Sequence, residues 1–216
     1  MTQFGIHRDQ PVYTFGTRLA EAKAAVIMLH GRGASAQDIL GIAAELNIPE
    51  IAWFAPQAYQ HTWYPQRFIA PLEANEPWLS SALGKIDMQM DELQQAGLSA
   101  TQIALLGFSQ GACLAVEYAA RNPQRYGGVI VFSGGLIGPE DEPLDHYPPE
   151  ADLQQTPVFL GCSDVDFHIP VTRVYQTADI LKRMNAQVDT RIYPNMGHLI
   201  NQDELSAADT LLRSLI

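Results

Sequence analysis

The chain alternates between continuous apolar runs and stretches in which apolar residues recur every three or four positions. The run at 24–29 is entirely apolar, a pattern typical of a strand buried on both faces of a parallel sheet. Similar short runs predict strands at 51–55, 103–106, 128–133 and 158–161. Positions 188–193 alternate like a strand near a sheet edge, and 11–19 has the composition of an edge strand.

Helical spacing separates these strands. Positions 39, 42, 43 and 46 give one apolar helical face, and Ser35 with Asp38 forms a capping-box pattern at its start. Further helices are predicted from apolar positions between 79 and 93, from the run 112–120, from 171–181 including Tyr175, and from 205–215 including Leu215. Gly97 is the predicted end of the second helix. The segment 56–77 lacks such periodicity and is predicted to be a long, ordered loop, and loops of this length are usually functional. The segment 134–155 is also irregular and is rich in proline and acidic residues.

This alternation of strands and helices predicts an α/β fold with a mostly parallel central sheet and helices on both faces. The 216 residues are most simply one domain, 1–216, without a large inserted cap domain. In such sheets, functional residues collect beyond the carboxyl ends of the strands.

Composition narrows the possible partners. The chain has 13 basic and 24 acidic residues and a net charge of −11, which disfavours binding to nucleic acid or to an anionic membrane surface. No apolar run approaches the ~18 residues that a membrane span needs, and the first residues lack the apolar region of a secretory signal. Cys113 and Cys162 lie in apolar segments, as reduced, packed thiols of a cytoplasmic protein do.

One short motif stands where a predicted strand meets a predicted helix. Residues 107–111 read G-F-S-Q-G, which matches the G-x-S-x-G nucleophile elbow in the strand–turn–helix setting that this motif requires. Ser109 is therefore the candidate nucleophile. A side chain at Gly107 or Gly111 would collide where strand and helix pass closely, which explains both glycines.

A serine hydroxyl needs a base, and the base needs an orienting acid. His198 follows the strand that ends near 193 and is the candidate general base. Asp166 and Asp164 both follow the strand at 158–161, and the residues alone leave the choice between them open. In either case the chain order is Ser, Asp, His, the order of α/β-hydrolases.

The tetrahedral intermediate also needs donors for its oxyanion. The predicted donors are the backbone N–H groups of Gln110, after the nucleophile, and of Arg32, in the loop after the strand at 24–29. The Arg32 side chain is expected in solvent, with contact to a substrate carboxylate as the alternative. His30 is expected to be structural.

Two other chemistries fit less well. Asp164, Asp166 and His168 lack the partner spacing of a metal site, so no metal is expected. Cys113 falls inside the elbow helix and is expected to be a packed thiol rather than a nucleophile.

Together these residues resemble the phospholipase/carboxylesterase branch of the α/β-hydrolase superfamily, the small serine esterases that include acyl-protein thioesterases. The resemblance covers about residues 24–215 and rests on L-H-G-R-G at 29–33, W-Y at 63–64, the elbow, D-F-H-I-P at 166–170 and G-H at 197–198. The family pattern favours Asp166 as the acid. Arg32 stands where many members carry leucine, and Phe167-His168 replaces a commoner Pro-apolar pair. Ser109 argues against the related dienelactone hydrolases, which use cysteine.

The resemblance implies hydrolysis of an ester or thioester of a small to moderate acyl group through an acyl-enzyme, without a cofactor. A lactone hydrolase with the same residues and a non-catalytic binding protein of the same fold are the alternatives. Exposed aromatics in 59–78 could also support a homodimer. The candidate acyl-pocket residues are apolar and lie in the irregular segments or beside Asp166 and His198: Trp63, Tyr64, Phe68, Leu136, Ile137, Phe167 and Leu199.

Overall fold

The structure is a computed structural model that describes residues 5–140, 142–148 and 150–216. Within these ranges, seven strands form one sheet in the order β1-β3-β2-β4-β5-β6-β7. They are β1 (Val12–Gly16), β2 (Ala24–Leu29), β3 (Ile51–Pro56), β4 (Ile103–Phe108), β5 (Gly128–Phe132), β6 (Pro157–Ser163) and β7 (Gln187–Tyr193). Only β1 runs antiparallel to its neighbour, so the predicted mostly parallel sheet is confirmed.

In the described part of the chain, five α-helices cover the sheet: α1 (Ala36–Leu46), α2 (Trp78–Gln95), α3 (Gln110–Arg121), α4 (Val171–Arg183) and α5 (Gln202–Arg213). Helices α1 and α5 pack on one face, and α2, α3 and α4 on the other. Successive β2 residues point into the two cores in turn, which is why this strand is apolar throughout.

Local signals place several of the helix ends. The predicted capping box forms at the start of α1, where Ser35 and Asp38 bond each other's backbone N–H groups. Gly97 lies two residues beyond α2 with φ of 105°, a conformation that glycine adopts without strain. A further capping box, between Asn201 and Glu204, starts α5.

Two side chains do not follow the predicted helical faces. Tyr175 is 52% exposed, because the buried face of α4 is formed by its neighbours Val174, Ala178 and Leu181. Leu215 lies beyond the end of α5 and packs only in part. One strand also extends beyond its predicted range of 103–106. Backbone pairing with β5 continues β4 to Phe108.

The long segment between β3 and α2 is ordered by contacts with the N-terminal segment. The buried His7 accepts a hydrogen bond from the Tyr59 N–H at Nδ1 and donates through Nε2 to the Trp63 carbonyl. Burial lowers the pKa of His7 to about 4, which keeps the ring neutral and able to accept.

Among the described residues, no helix combines the length and the apolar character that a membrane span requires.

Candidate active site

The turn between β4 and α3 holds Ser109 in a strained backbone conformation. Its φ of 55° and ψ of −119° lie where non-glycine residues are rare, at a cost of about 1–3 kcal/mol. A Cβ on Gly107 would overlap the backbone of Gly111, and a Cβ on Gly111 would overlap the carbonyl of Leu29. The two glycines thus allow the close crossing of β4, α3 and β2 that projects Ser109 from the sheet.

The hydroxyl of Ser109 does not cap its own helix. Serine at an N-cap ordinarily accepts a hydrogen bond from the first turn, yet no such bond forms at the start of α3. Instead, the Ser109 Oγ lies 2.9 Å from Nε2 of His198. The strained turn therefore leaves the hydroxyl free to bond the imidazole.

The imidazole of His198 lies between Ser109 and a buried acid. Its Nδ1 is 2.6 Å from Oδ2 of Asp166, whose side chain is fully buried while that of His198 is 21% exposed. In the neutral ring, the Nδ1 proton faces the carboxylate, and Nε2 can accept the proton of the serine hydroxyl. The other Asp166 oxygen accepts hydrogen bonds from the N–H groups of His168 and Ile169, at 2.8 and 3.1 Å.

The competing acid, Asp164, points elsewhere. It is exposed, and its Oδ1 accepts a hydrogen bond from the Asn195 N–H at 2.8 Å. Sequence reasoning missed Ser163, whose buried hydroxyl accepts from the N–H groups of Gly197 and Val165 at 3.0 and 3.2 Å. One hydroxyl at the end of β6 thus ties the loop of the acid to the loop of the histidine.

The loop after β2 is oriented by His30. Nε2 of this buried ring accepts a hydrogen bond from the Ala58 N–H at 3.1 Å, so Nδ1 carries the proton and donates to the Gly31 carbonyl at 2.8 Å. In a trans peptide the C=O and the next N–H point in opposite directions. The Arg32 N–H is therefore turned away from His30. Gly31 lies against Ser109, since a Cβ added to Gly31 would lie 3.4 Å from the Ser109 Cβ.

Burial keeps this orientation in place. Desolvation lowers the pKa of His30, so the ring stays neutral and Nε2 remains an acceptor. The Trp63 indole N–H donates to the His30 carbonyl at 2.9 Å and fixes the same residue from the other side.

The Gln110 side chain fastens the long loop to the start of α3. Its Oε1 accepts from the Trp63 N–H at 2.8 Å, and its Nε2 donates to the Tyr64 carbonyl at 2.8 Å. In the part of the chain that the structure describes, neither the Gln110 N–H nor the Arg32 N–H has a hydrogen-bond acceptor. Both donors are thus available near Ser109, and the N-terminus of α3 adds its positive dipole.

A cavity of about 340 Å³ opens beside Ser109. Of the predicted pocket residues, only Tyr64 and Phe68 line it. The remaining described lining comprises Arg32, Pro65, Gln66, Arg67, Ser109, Gln110, Cys113, His168 and Ile169. No signal in the sequence identified Arg67 as a cavity residue, because its segment has no periodicity that would predict which side chains face the cavity.

Several predicted pocket residues lie outside this lining. Trp63, Leu136 and Ile137 are wholly buried in the core, where Trp63 is held by its bond to His30. Phe167 and Leu199 point to solvent, with 90% and 47% of their surfaces exposed, because tight turns place them beside the histidine and the acid without facing the cavity. Of the aromatics between 59 and 78, only Tyr59 is exposed, which removes most of the surface expected for a dimer contact.

Both cysteines are buried and free. Burial raises the pKa of the Cys113 thiol to about 12, so it stays protonated in the cavity wall. Among the described residues, no group of three or more histidine, cysteine or acidic side chains is arranged to hold a metal ion.

A family model and several sequence relatives match this chain. The model of the family described as Phospholipase/Carboxylesterase matches residues 17–216. Acyl-protein thioesterase 1 of Yarrowia lipolytica is 24% identical over 202 residues, covering 85% of this chain and 88% of the relative. Acyl-protein thioesterase 1 of Gibberella zeae is 29% identical over 118 residues, and that match spans only half the length of the relative.

A solved structure supports the same assignment. The crystal structure of a phospholipase/carboxylesterase from Dyadobacter fermentans superposes with a TM-score of 0.90 at 42% identity. The superposition covers 95% of this chain and 97% of that one.

Proposed function

The chain belongs to the phospholipase/carboxylesterase family and is a carboxylic ester hydrolase, and from this premise we propose that it works through an acyl-enzyme on Ser109. The observation that carries the proposal is the continuous path from Ser109 through His198 to Asp166, with distances of 2.9 and 2.6 Å. A nucleophile, a base and an orienting acid are the parts that serine acyl transfer requires.

In the proposed first step, the Ser109 oxygen attacks the ester carbonyl as its proton passes to Nε2 of His198. Asp166 holds the ring in the required tautomer and stabilises the imidazolium that forms. The negative charge that develops on the carbonyl oxygen is met by the N–H groups of Arg32 and Gln110.

The tetrahedral intermediate collapses when His198 returns the proton to the leaving alcohol or thiol, leaving the acyl group on Ser109. Water then enters, and His198 takes its proton as it attacks the acyl-enzyme. Hydrolysis releases the acid and restores the serine, with no redox change and no cofactor in any step.

The size and walls of the cavity support small to moderate acyl groups. Tyr64, Phe68 and Ile169 give it an apolar side, and about 340 Å³ lies at the small end of ligand sites. An ester or a thioester of such an acid fits this description, and neither the cavity nor the proposed mechanism separates the two.

Substitution of the nucleophile tests the proposal. Ser109→Ala should lower kcat on p-nitrophenyl butyrate by about 10⁶-fold, because the covalent route is lost. The same variant should stop labelling by a fluorophosphonate probe. Ser206→Ala is the matched control, since Ser206 lies exposed on α5 and should keep both turnover and labelling.

Two results would overturn the proposal: full turnover by Ser109→Ala, or a wild-type protein that neither labels nor hydrolyses any ester. The second result would favour a binding protein of the same fold.

A separate measurement identifies the leaving group. It compares rates on matched ester, thioester and lactone substrates.

A further inference from the structure

The cavity beside Ser109 has an unusual charge for this chain. Its described lining includes Arg32 and Arg67 but neither aspartate nor glutamate. The chain as a whole carries 24 acidic and only 13 basic residues. A wall that contains two of the few arginines and excludes the abundant acids differs from the rest of the molecule in the sign of its charge.

Arg32 is held at the cavity by neutral partners. Its two terminal nitrogens donate to the carbonyls of Pro65 and Gln66 at 2.8 and 2.6 Å. The side chain is exposed, and these two bonds hold it against the loop at 65–66. Carbonyls fix the guanidinium without neutralising it, and three of its five N–H donors remain for another partner.

Arg67 is positioned through its backbone. The buried side chain of Asn75 accepts from the Gln66 N–H at 2.8 Å and donates to the Arg67 carbonyl at 3.1 Å. The Arg67 guanidinium forms no ion pair with any acid of the described chain. The loop backbone that carries Arg67 is thus fixed, and its exposed side chain has no acidic partner among the described residues.

Two acids with buried side chains lie near the cavity, and each has partners of its own. Asp166 bonds His198 and two backbone N–H groups, and Glu117, behind the cavity wall, is bonded at Oε1 by Arg121 and His146. Two arginines in the described lining, with no acid in that lining, therefore favour anions at the site. Guanidinium forks also match the planar carboxylate better than an ammonium does.

We propose that the physiological substrate is an ester or thioester that carries a second, anionic group, a carboxylate, which Arg32 and Arg67 bind while Ser109 attacks the ester carbonyl. This inference rests on the proposed function and adds the substrate class. The carboxylate can belong to the acyl part or to the alcohol part, and both placements share the same recognition chemistry.

Two pairs of substrates separate these placements. For the acyl part, mono-p-nitrophenyl adipate is compared with p-nitrophenyl hexanoate. For the alcohol part, p-acetoxybenzoate is compared with its methyl ester. In each pair the neutral ester controls for ester hydrolysis itself, and each rate is divided by the non-enzymatic rate of the same compound.

The measured quantity is the ratio of kcat/KM for the anionic ester to kcat/KM for its neutral partner. The wild-type protein should favour the anion by about 10-fold or more in at least one pair, because a charge-assisted hydrogen bond between a guanidinium and a carboxylate is stronger than one between neutral groups. The pair that shows the preference identifies the part of the substrate that carries the carboxylate. Raising the salt from about 0.05 M to about 0.5 M should reduce the ratio, since exposed charges are screened.

Arg67→Gln is the primary variant, since its side chain supports no described structural bond, and it should reduce the ratio by about 10-fold. Arg67→Lys should keep part of the preference. Arg32→Gln retains the backbone N–H and should also reduce the ratio. The matched control is Arg18→Gln, because Arg18 lies exposed near Glu21 and away from the cavity, and this variant should keep the wild-type ratio.

A wild-type ratio near one or below in both pairs would overturn this inference, and so would a ratio that neither Arg67→Gln nor Arg32→Gln changes. In either case, Ser109-dependent hydrolysis of the neutral esters would leave the proposed function standing. Absence of hydrolysis on all four esters, together with no fluorophosphonate labelling, would instead remove the proposed function itself.

Discussion

Two histidine–carboxylate pairs lie in the described part of the molecule, and they face different surroundings. In the first, Asp166 and His198 are 2.6 Å apart, and the far side of the imidazole meets the Ser109 hydroxyl. In the second, Glu117 and His146 are 3.1 Å apart, and the imidazole packs against Tyr147 in a tilted arrangement with ring centroids 4.2 Å apart. Among the described residues, only the first of these imidazoles has a serine hydroxyl within hydrogen-bond distance.

The two carboxylates also differ in their partners. Asp166 accepts from two backbone N–H groups, from one histidine and, at 3.9 Å, from the Cys162 thiol. Glu117 is fully buried and accepts from the side chains of Arg121, His146 and Tyr147 and from the Ile137 N–H. Burial alone would raise the pKa of Glu117, but these donors outweigh it and hold the pKa below its ordinary value.

The comparison shows that a histidine–carboxylate pair does not by itself indicate a functional site, because its role depends on the groups around it. Glu117 ties the segment around Ile137 and Tyr147 to α3, and the neighbouring Gly138 N–H donates to the carbonyl of Phe68 in the cavity wall. This second pair therefore supports the wall of the cavity, whereas the first pair meets the Ser109 hydroxyl. The difference lies in what else each imidazole contacts, which is the Ser109 hydroxyl in the first pair and the Tyr147 ring in the second.

The largest expected effect is on turnover. Asp166→Asn should lower kcat on p-nitrophenyl butyrate by about 10⁴-fold, because an amide no longer selects the required tautomer of His198. The unfolding temperature should change little. Asp164→Asn is the matched neighbour and should lose less than about 10-fold; an equal loss in both variants would contradict the assignment of Asp166.

The second effect is on stability. Glu117→Gln should lower the free energy of unfolding by about 3 kcal/mol, since it leaves Arg121 and the other donors facing a neutral amide in a buried site. Denaturant unfolding measures this change. Glu45→Gln is the control, because Glu45 is exposed on α1. A kcat loss in Glu117→Gln as large as that of Asp166→Asn would erase the distinction between the pairs.

The third effect is on the pH dependence of stability. The lowered pKa of Glu117 means that the unfolded chain binds this proton more readily than the folded chain. The contribution of Glu117 is therefore complete above its ordinary pKa of about 4.3 and is lost as pH falls through its folded pKa. Thermal unfolding between about pH 6 and pH 3 should show a shallower acid decline in Glu117→Gln than in wild type. Parallel curves would contradict this role.

The smallest effect is expected at the histidine of the second pair. His146→Asn should lower the free energy of unfolding by about 1 kcal/mol, since it removes one of four donors to Glu117 from a side chain that is 23% exposed. Its kcat should stay within about twofold of wild type, measured on the same ester. A stability loss equal to that of Glu117→Gln would show that the other three donors contribute little.

The elements that were predicted well depend on neighbours in the sequence. The apolar run of β2, the capping box at Ser35 and the two glycines around Ser109 each require only local geometry. The order Ser109, Asp166, His198 could likewise be proposed from placement after strands, because parallel strands end at one edge of the sheet.

The cavity shows where such reasoning fails. Trp63 and Phe167 are both large aromatics in irregular segments, yet Trp63 is wholly buried in the core and Phe167 is 90% exposed. In a loop no periodicity relates one side chain to the next, so hydrophobicity does not determine whether a residue faces the core, the cavity or solvent. The residues alone left the choice between Asp164 and Asp166 open for the same reason. Both follow one strand, and no periodicity in the turn shows which carboxylate faces the histidine.

By itself, the sequence determined the parallel sheet, the position of the elbow and the family, since these follow from periodicity and from short motifs. The folded structure was needed to place the Asp166 carboxylate, which the family resemblance only favoured, beside His198. It was also needed to show that the Arg32 guanidinium bonds the carbonyls of residues 65 and 66 and that Glu117 anchors a loop. The physical reason is that each of these contacts joins residues far apart in the chain, where the direction of a side chain depends on the packing of the whole fold.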